Sequence, residues 1–292
     1  MTIKTISLPT VSIGIPLYNS EKYLRRTLDN LLTQTFSDFE IIISDDASKD
    51  LTPKICAEYI RIRFIQQSQN LGMAGNFEFV LQQAKGKYFM WVADDEWSEN
   101  YIECLVNRLD SNPTIDFAYA SHVLIDENSR ITGGESKIAL FFRPRSYMPK
   151  LYNAAVFFLW INCSAIFGMY RRHILTQRQP LFNLFQADNA VASDTRFLME
   201  IMLHHKVIYT SKCQFKYRLI LKPLDYYEKT EVKSKIDFKK YVQENKSEIR
   251  QLQTELTQYA IFPLKKQYPI FATLLLFMYK LIRIRRNLKS NL

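Results

Sequence analysis

Two adjacent carboxylates, Asp94 and Asp95, close the apolar run Tyr88-Phe89-Met90-Trp91-Val92-Ala93. A carboxylate pair in that setting can ligate Mn2+ or Mg2+, hard cations that prefer oxygen and bridge phosphate oxygens. A metal held there acts as a Lewis acid on a departing nucleoside diphosphate. The competing reading is structural, since an Asp pair after a strand can also cap the next helix. Two more polar clusters stand in similar positions. Asp45, after Phe39-Glu40-Ile41-Ile42-Ile43-Ser44, can accept a hydrogen bond from a pyrimidine N–H, with Asp46 or Ser48 organising the loop. Tyr18 offers an aromatic face to a base, and Asn19 an amide to the loop or to a ligand.

Positioning those groups takes a repeated unit of strand, loop and helix. Residues 11–17, VSIGIPL, make a short β-rich run ended by Pro16, and Tyr23, Leu24, Leu28, Leu31 and Leu32 follow at helical spacing. A second strand, over 39–44, runs into Asp45-Asp46-Ala47-Ser48-Lys49-Asp50, and Pro53 falls in the first turn of the next helix. A third strand over 62–66, a turn at Asn70-Leu71-Gly72, a helix over 73–84 and a fourth strand over 88–93 continue the pattern. Strands that alternate with helices and lack internal polar alternation predict a parallel sheet covered on both faces. Ligands of such sheets bind at the carboxyl ends of the strands, so the three polar clusters should converge. Farther along, the sequence predicts a strand over 116–121, a turn near Gly133-Gly134 and an Arg- and Pro-rich loop over 141–149. An apolar segment over 165–170, a helix over 194–204 and a strand ending in Tyr217-Arg218 follow.

With 292 residues, 47% hydrophobic and 14% aromatic, the chain can enclose a buried cleft, and its 7 glycines exclude a repeat or low-complexity protein. Cys56, Cys104, Cys163 and Cys213 are scattered without C-x-x-C or a spaced His partner, which argues for reduced core thiols over a zinc site or disulfide framework. His122, His173, His204 and His205 show neither a nucleophile partner nor metal spacing and receive no role. A net charge of +10 favours an anionic partner. The basic residues are not interleaved with aromatics in one module, which excludes a nucleic-acid reading. The N-terminal residues lack a secretory signal, so a cytoplasmic chain is expected.

From Pro223 the sequence becomes Lys- and Glu-rich and then carries IFATLLLFMYKLI before Arg283, Arg285, Arg286 and Lys289. That apolar core is short of the ~20 residues that span a bilayer, and its flanks are basic. Residues 269–289 therefore read as an interfacial helix at the inner face of the plasma membrane, the alternative being a helix that packs on the globular part. The division expected is a globular domain over 1–222 and a helical, basic extension over 223–292.

The segments VSIGIPLYNSEKYLRRTLDNLLTQTFSDFEIIISDDASKD and NLGMAGNFEFVLQQAKGKYFMWVADDEW together resemble the N-terminal half of family 2 glycosyltransferases of the bacterial surface-polysaccharide type. Three motifs occur in order at strand ends: P-x-Y-N, the D-D-x-S-x-D loop and the acidic motif after the fourth strand. The resemblance implies an α/β protein of the GT-A fold, a Rossmann-like, mostly parallel sheet flanked by helices. Residues 1–110 would form its nucleotide-sugar half and 111–222 its acceptor half. By position, it implies that Pro16, Tyr18, Asn19 and Glu21 line the nucleotide pocket and that Asp45 contacts the base. Asn70 and Gly72 would shape the sugar-nucleotide loop, Asp95 would bind the metal, and Asp94 would lie beside the ribose or the metal. Where many members read D-x-D-D, this chain has Val92-Ala93-Asp94-Asp95, with Glu96 following.

The family's base often lies in an E-D pair that opens a helix. Ala192-Ser193-Asp194-Thr195-Arg196 resembles that place with Ser193 in place of the Glu, so Asp194 is the expected base and Asp188 its competitor. Tyr217-Arg218 resembles a common family ending whose Arg approaches phosphate. The function implied is inverting, metal-dependent transfer of a sugar from a UDP- or dTDP-type donor to a glycan or lipid-linked acceptor. A nucleotidyltransferase would need a Gly-rich basic loop after the first strand, and IGIPLYNSEKY has none. A sugar-nucleotide-binding or membrane-surface protein without catalysis is the alternative.

Overall fold

The structure, a computed structural model, describes residues 8–134, 163–177, 197–198, 201–202 and 204–218. Alternating apolar residues send β1 (Val11–Leu17) into the core: Val11, Ile13, Ile15 and Leu17 face one side, Ser12 and Gly14 the other. Helix α1 (Glu21–Leu32) covers the first side with Leu24, Leu28 and Leu31, and β2 (Phe39–Asp45) follows. Helix α2 (Thr52–Ala57), with Pro53 in its first turn, leads to β3 (Ile62–Gln66). Helix α3 (Gly72–Gln83) crosses the opposite face, where Val80 and Leu81 join Ile42, Phe89 and Trp91. Next come β4 (Tyr88–Trp91), the two-residue β5 (Glu96–Trp97), α4 (Tyr101–Asp110), β6 (Phe117–Ile125) and β7 (Ile131–Gly134). A 3-10 turn (Cys163–Phe167), β8 (Met169–Arg171), α5 (Arg172–Thr176) and β9 (Val207–Arg218) complete the described elements.

The strands form one sheet in the order β3-β2-β1-β4-β8-β6-β9-β5, with β7 paired to β6. Its two faces are covered by separate apolar clusters, giving three layers. Pairings among β1 to β4 are parallel, as the apolar runs predict. Beyond β4 the sheet is mixed: β8 is antiparallel to β4 and β6, β5 to β9 and β7 to β6, while β6 and β9 are parallel. The expected turn at Gly133-Gly134 is instead the end of β7, since these glycines sit opposite Val123 and Leu124 in a hairpin. Among the described residues no helix is long and apolar enough to cross a membrane. The 222/223 boundary and the 269–289 segment lie outside the described residues.

The order β3-β2-β1-β4 makes the gap between β1 and β4 the point where successive crossovers turn in opposite directions. β1 pairs with β4 only as far as Gly14 opposite Trp91, then continues beside β2 to Leu17 opposite Asp45. Pro16 therefore lies beyond the reach of β4, where its missing N–H interrupts no ladder on that side. In open α/β sheets such a parting marks the ligand crevice, here at the ends of β1, β2 and β4.

Candidate functional site

The loops after β1 and β2 are tied together by side chains that the sequence reading assigned to ligand. Asn19, in the left-handed region at φ 50°, receives a hydrogen bond from the Lys49 N–H on its Oδ1 at 2.9 Å, and its own N–H donates to Ser48 Oγ at 2.8 Å. Glu21 Oε2 accepts from the Leu51 N–H at 2.7 Å, and the Glu21 N–H donates to Asp50 Oδ2 at 3.1 Å. Asn19 and Glu21 are thus the braces between the two loops. Tyr18 is 53% exposed at the mouth, and Pro16 is half-buried behind it.

Asp45 is 0% exposed, and both of its carboxylate oxygens are engaged, one by the Ser48 hydroxyl and the other by Gln66 Nε2 at 3.2 Å. Asp46 anchors the third loop: its Oδ1 accepts from the Leu71 N–H at 2.6 Å, and its carbonyl accepts from Asn70 Nδ2 at 3.3 Å. Asn70 Oδ1 accepts from the Gly72 N–H at 2.8 Å, and Gly72 adopts φ 75°, a conformation that favours glycine. Asn70 and Gly72 accordingly shape the loop that starts α3.

The acidic pair lies on the other side of the crevice, in a tight turn where the Asp95 N–H donates to the Ala93 carbonyl at 2.8 Å. Thr27 of α1 holds the Asp95 carbonyl through its hydroxyl at 3.2 Å. Asp95 is 4% exposed, and its Oδ1 accepts the Arg218 main-chain N–H at 2.7 Å. Asp94 is half-buried, and its carboxylate accepts no hydrogen bond among the described residues. Burial pushes the Asp94 carboxyl up to about 6 and Asp95 up to about 7; Asp94 beside Asp95 adds a smaller upward push, and Arg218 opposes both.

Glu96, the third acid of the run, is engaged by the protein through its Oε1. It is buried in an ion pair with Arg218 and also accepts from the Ser129 hydroxyl. The reading of Arg218 as a phosphate contact needs correction for the same reason. Its side chain is 1% exposed, and its donors all find protein acceptors. Nε donates to the Asp94 carbonyl at 3.1 Å, and Nη1 to the carbonyls of Asp126 and Glu127 at 2.8 and 3.3 Å. Nη2 reaches Glu96 and, at 3.3 Å, Ser129. The guanidinium also lies over the Tyr23 ring, 4.7 Å from its centroid. Sequence spacing placed an Arg at the end of the last strand but could not show that β9 returns to the acidic loop.

Among the described residues no three His, Cys, Asp or Glu groups make a metal cluster. The donor set here is two carboxylates, both with pKa values pushed up by burial, and that of Asp94 accepts no hydrogen bond from the described residues. It fits a hard cation that takes its other oxygens from a diphosphate and water. The residues that could hold it are Asp94 and Asp95. Asp194 and Asp188 lie outside the described residues.

A Rossmann-like, mostly parallel half sheet extended by mixed strands and flanked by helices is the architecture of the GT-A fold. Residues 12–177 match the description "glycosyl transferase family 2", and the chain belongs to that family. It is 26% identical over 219 residues to glycosyltransferase GlyA of Streptococcus pneumoniae, a match covering 72% of this chain and 30% of that protein. It is 36% identical over 130 residues to an uncharacterised glycosyltransferase of Rickettsia prowazekii, covering 43% of this chain and 40% of that protein. The chain thus spans well under two thirds of the length of these two relatives. Among solved structures it is similar to S. aureus TarS 1–349 in complex with UDP, with a TM-score of 0.58 and 24% identity over 75% of this chain and 62% of that one.

Proposed function

We propose that this chain is an inverting glycosyltransferase that moves a sugar from a UDP- or dTDP-type donor to a hydroxyl of a glycan or lipid-linked acceptor in surface polysaccharide synthesis. The observation that carries the reading is the Asp94–Asp95 pair, fixed across the β1/β4 switch point from the loops that carry Tyr18 and Asp45. The exposed ring of Tyr18 can stack on the base. Asp45 can reach a base N–H if Gln66 yields the oxygen it now occupies. TarS structures solved with UDP and with UDP-GlcNAc support a uridine nucleotide as the first donor to try.

Asp94 and Asp95 would hold Mn2+ or Mg2+, which supplies Lewis-acid stabilisation of the leaving diphosphate. Asp194, with Asp188 as the competing choice, would take the acceptor proton as the hydroxyl attacks the anomeric carbon from the face opposite the diphosphate. The basic segment 269–289 would keep the protein peripheral at the inner face of the plasma membrane, near a lipid-linked acceptor.

The test is a thermal-shift series with UDP, dTDP, GDP and ADP, each with and without Mn2+, followed by donor hydrolysis. The expected result is a rise in Tm with UDP or dTDP that needs Mn2+, and hydrolysis lost in Asp95→Ala. No shift with any nucleotide would overturn the reading. Binding without hydrolysis or transfer would favour the non-catalytic alternative.

A further inference from the structure

Arg218, which the family resemblance reads as a phosphate contact, is instead tied to several parts of the site. Three segments far apart in the chain meet on it: the acidic turn at 94–96, the turn between β6 and β7, and the first turns of α1. From its position on β9, its main chain holds Asp95 by a carboxylate oxygen while its Nε holds Asp94 by the carbonyl. The two acids are thus gripped at different atoms, one by its side chain and one by its backbone. That leaves the Asp94 carboxylate and the second Asp95 oxygen to point elsewhere.

The fork is itself fixed. Nη2 is paired with Glu96 and Ser129, and Nη1 spans the carbonyls of Asp126 and Glu127. Lys22 pairs with Glu127 at 2.9 Å, and Arg26 donates to the Glu127 carbonyl at 2.8 Å and Ser129 Oγ at 3.2 Å, so α1 pins the same turn from outside. A planar guanidinium with five donors can hold this many acceptors in fixed directions, and an ammonium cannot.

We infer that Arg218 is the positioning residue of the metal corner: its main-chain N–H holds the Asp95 carboxylate, its guanidinium holds the acidic turn through the Asp94 carbonyl and Glu96, and it touches neither metal nor phosphate. This rests on the reading of Asp94–Asp95 as the metal-diphosphate corner. It assigns to β9 a role in donor binding that a strand outside the β1–β4 unit would not otherwise have. Glu96 becomes the counter-ion that keeps the fork in register, which accounts for a third acid beside a pair that needs only two.

The test measures Mn2+ binding to the full chain in the presence of UDP, from the EPR signal of free Mn2+, alongside UDP affinity without metal. Arg218→Lys keeps the charge and loses the fork, and should weaken Mn2+ binding about tenfold while metal-free UDP affinity stays at the wild-type value. A general loss of structure would instead lower both together with Tm. Glu96→Gln, which keeps the volume and leaves both aspartates untouched, should weaken Mn2+ in the same direction by up to about tenfold, and it carries the test if Arg218→Lys fails to fold. Folded variants that bind Mn2+ as the wild type does overturn the inference alone. A wild-type chain that holds no Mn2+ with UDP overturns the reading of the site and this inference with it.

Discussion

The Arg218 main-chain N–H donates to Asp95 Oδ1 over 2.7 Å, although 123 residues separate the two in the chain. This bond closes the sheet's second half onto the acidic turn of its first half, and it sits above a buried Arg218–Glu96 ion pair. Removing one partner of such a pair strands a charge away from water. Arg218→Met should therefore lower stability by about 3–5 kcal/mol, while the double change with Glu96→Leu should recover a large part of that loss. Urea unfolding of the single and double variants checks this, and additive losses would show that the two charges do not depend on each other.

Asp94 and Asp95 set a pH dependence whose sign follows from burial. Their folded pKa values, about 6 and about 7, lie above the ordinary 3.8, so the folded state binds more protons than the unfolded chain in between. Stability should fall as pH rises through that window, and it should be restored by Mn2+ with a nucleoside diphosphate. Asp95→Asn keeps an acceptor for Arg218 but removes the ionisation. It should be more stable to urea than the metal-free wild type near about pH 8, by an amount on the order of 4 kcal/mol, and match it near about pH 4. Equal differences at both pH values would show that burial does not strain this carboxyl.

The first hundred residues were legible because each strand is an apolar run that stops at a polar cluster, and parallel topology puts those stops on one edge. Val11–Leu17, Phe39–Asp45 and Tyr88–Trp91 all obey this. The roles inside the clusters were less legible, because Asn19, Glu21, Asp46 and Asn70 satisfy loop N–H groups across gaps of 20 residues or more, or turn upon themselves. Such pairings depend on which loops meet. Arg218 was misread for the same reason: an arginine at a strand end says nothing of which acceptors the fold brings to it. The antiparallel pairing of β5 to β9 was equally hidden, since β5 is only two residues, held by Asn30 of α1 and by β9.

Asn19 tests the brace between the loops. At φ 50° an asparagine is tolerated and an alanine strained, and only the asparagine side chain can accept from Lys49. Asn19→Gly should lose that one bond, and Asn19→Ala should lose it and add backbone strain, leaving it about 1 kcal/mol less stable than the glycine variant. Calorimetry on the two variants decides it, with the opposite order showing that the loop relaxes out of the left-handed region.

Gly14 sets how closely α3 can approach β1. A Cβ placed there would lie 2.7 Å from Phe89 Cζ and 2.8 Å from Val80 Cγ2, both in the packed layer behind the crevice. Gly14→Ala should destabilise the protein by about 1–3 kcal/mol and displace Phe89, the neighbour of Trp91 at the end of β4. A near-neutral effect in urea unfolding would mean that the α3 layer shifts freely, and the β1/β4 crevice would then not be rigidly walled.

Asp194 and Asp188 are the two residues proposed for the general base, and kinetics can separate them. A general base acts on the acceptor proton in the transition state and does not hold the donor, so its loss lowers kcat and spares donor binding. Asp194→Asn should reduce the transfer rate by about 10²–10⁴-fold with the UDP-sugar KM within about twofold of wild type, whereas Asp188→Asn should change kcat by less than about tenfold. The reverse pattern would transfer the role to Asp188. Equal and large losses in donor affinity for both variants would place neither at the acceptor.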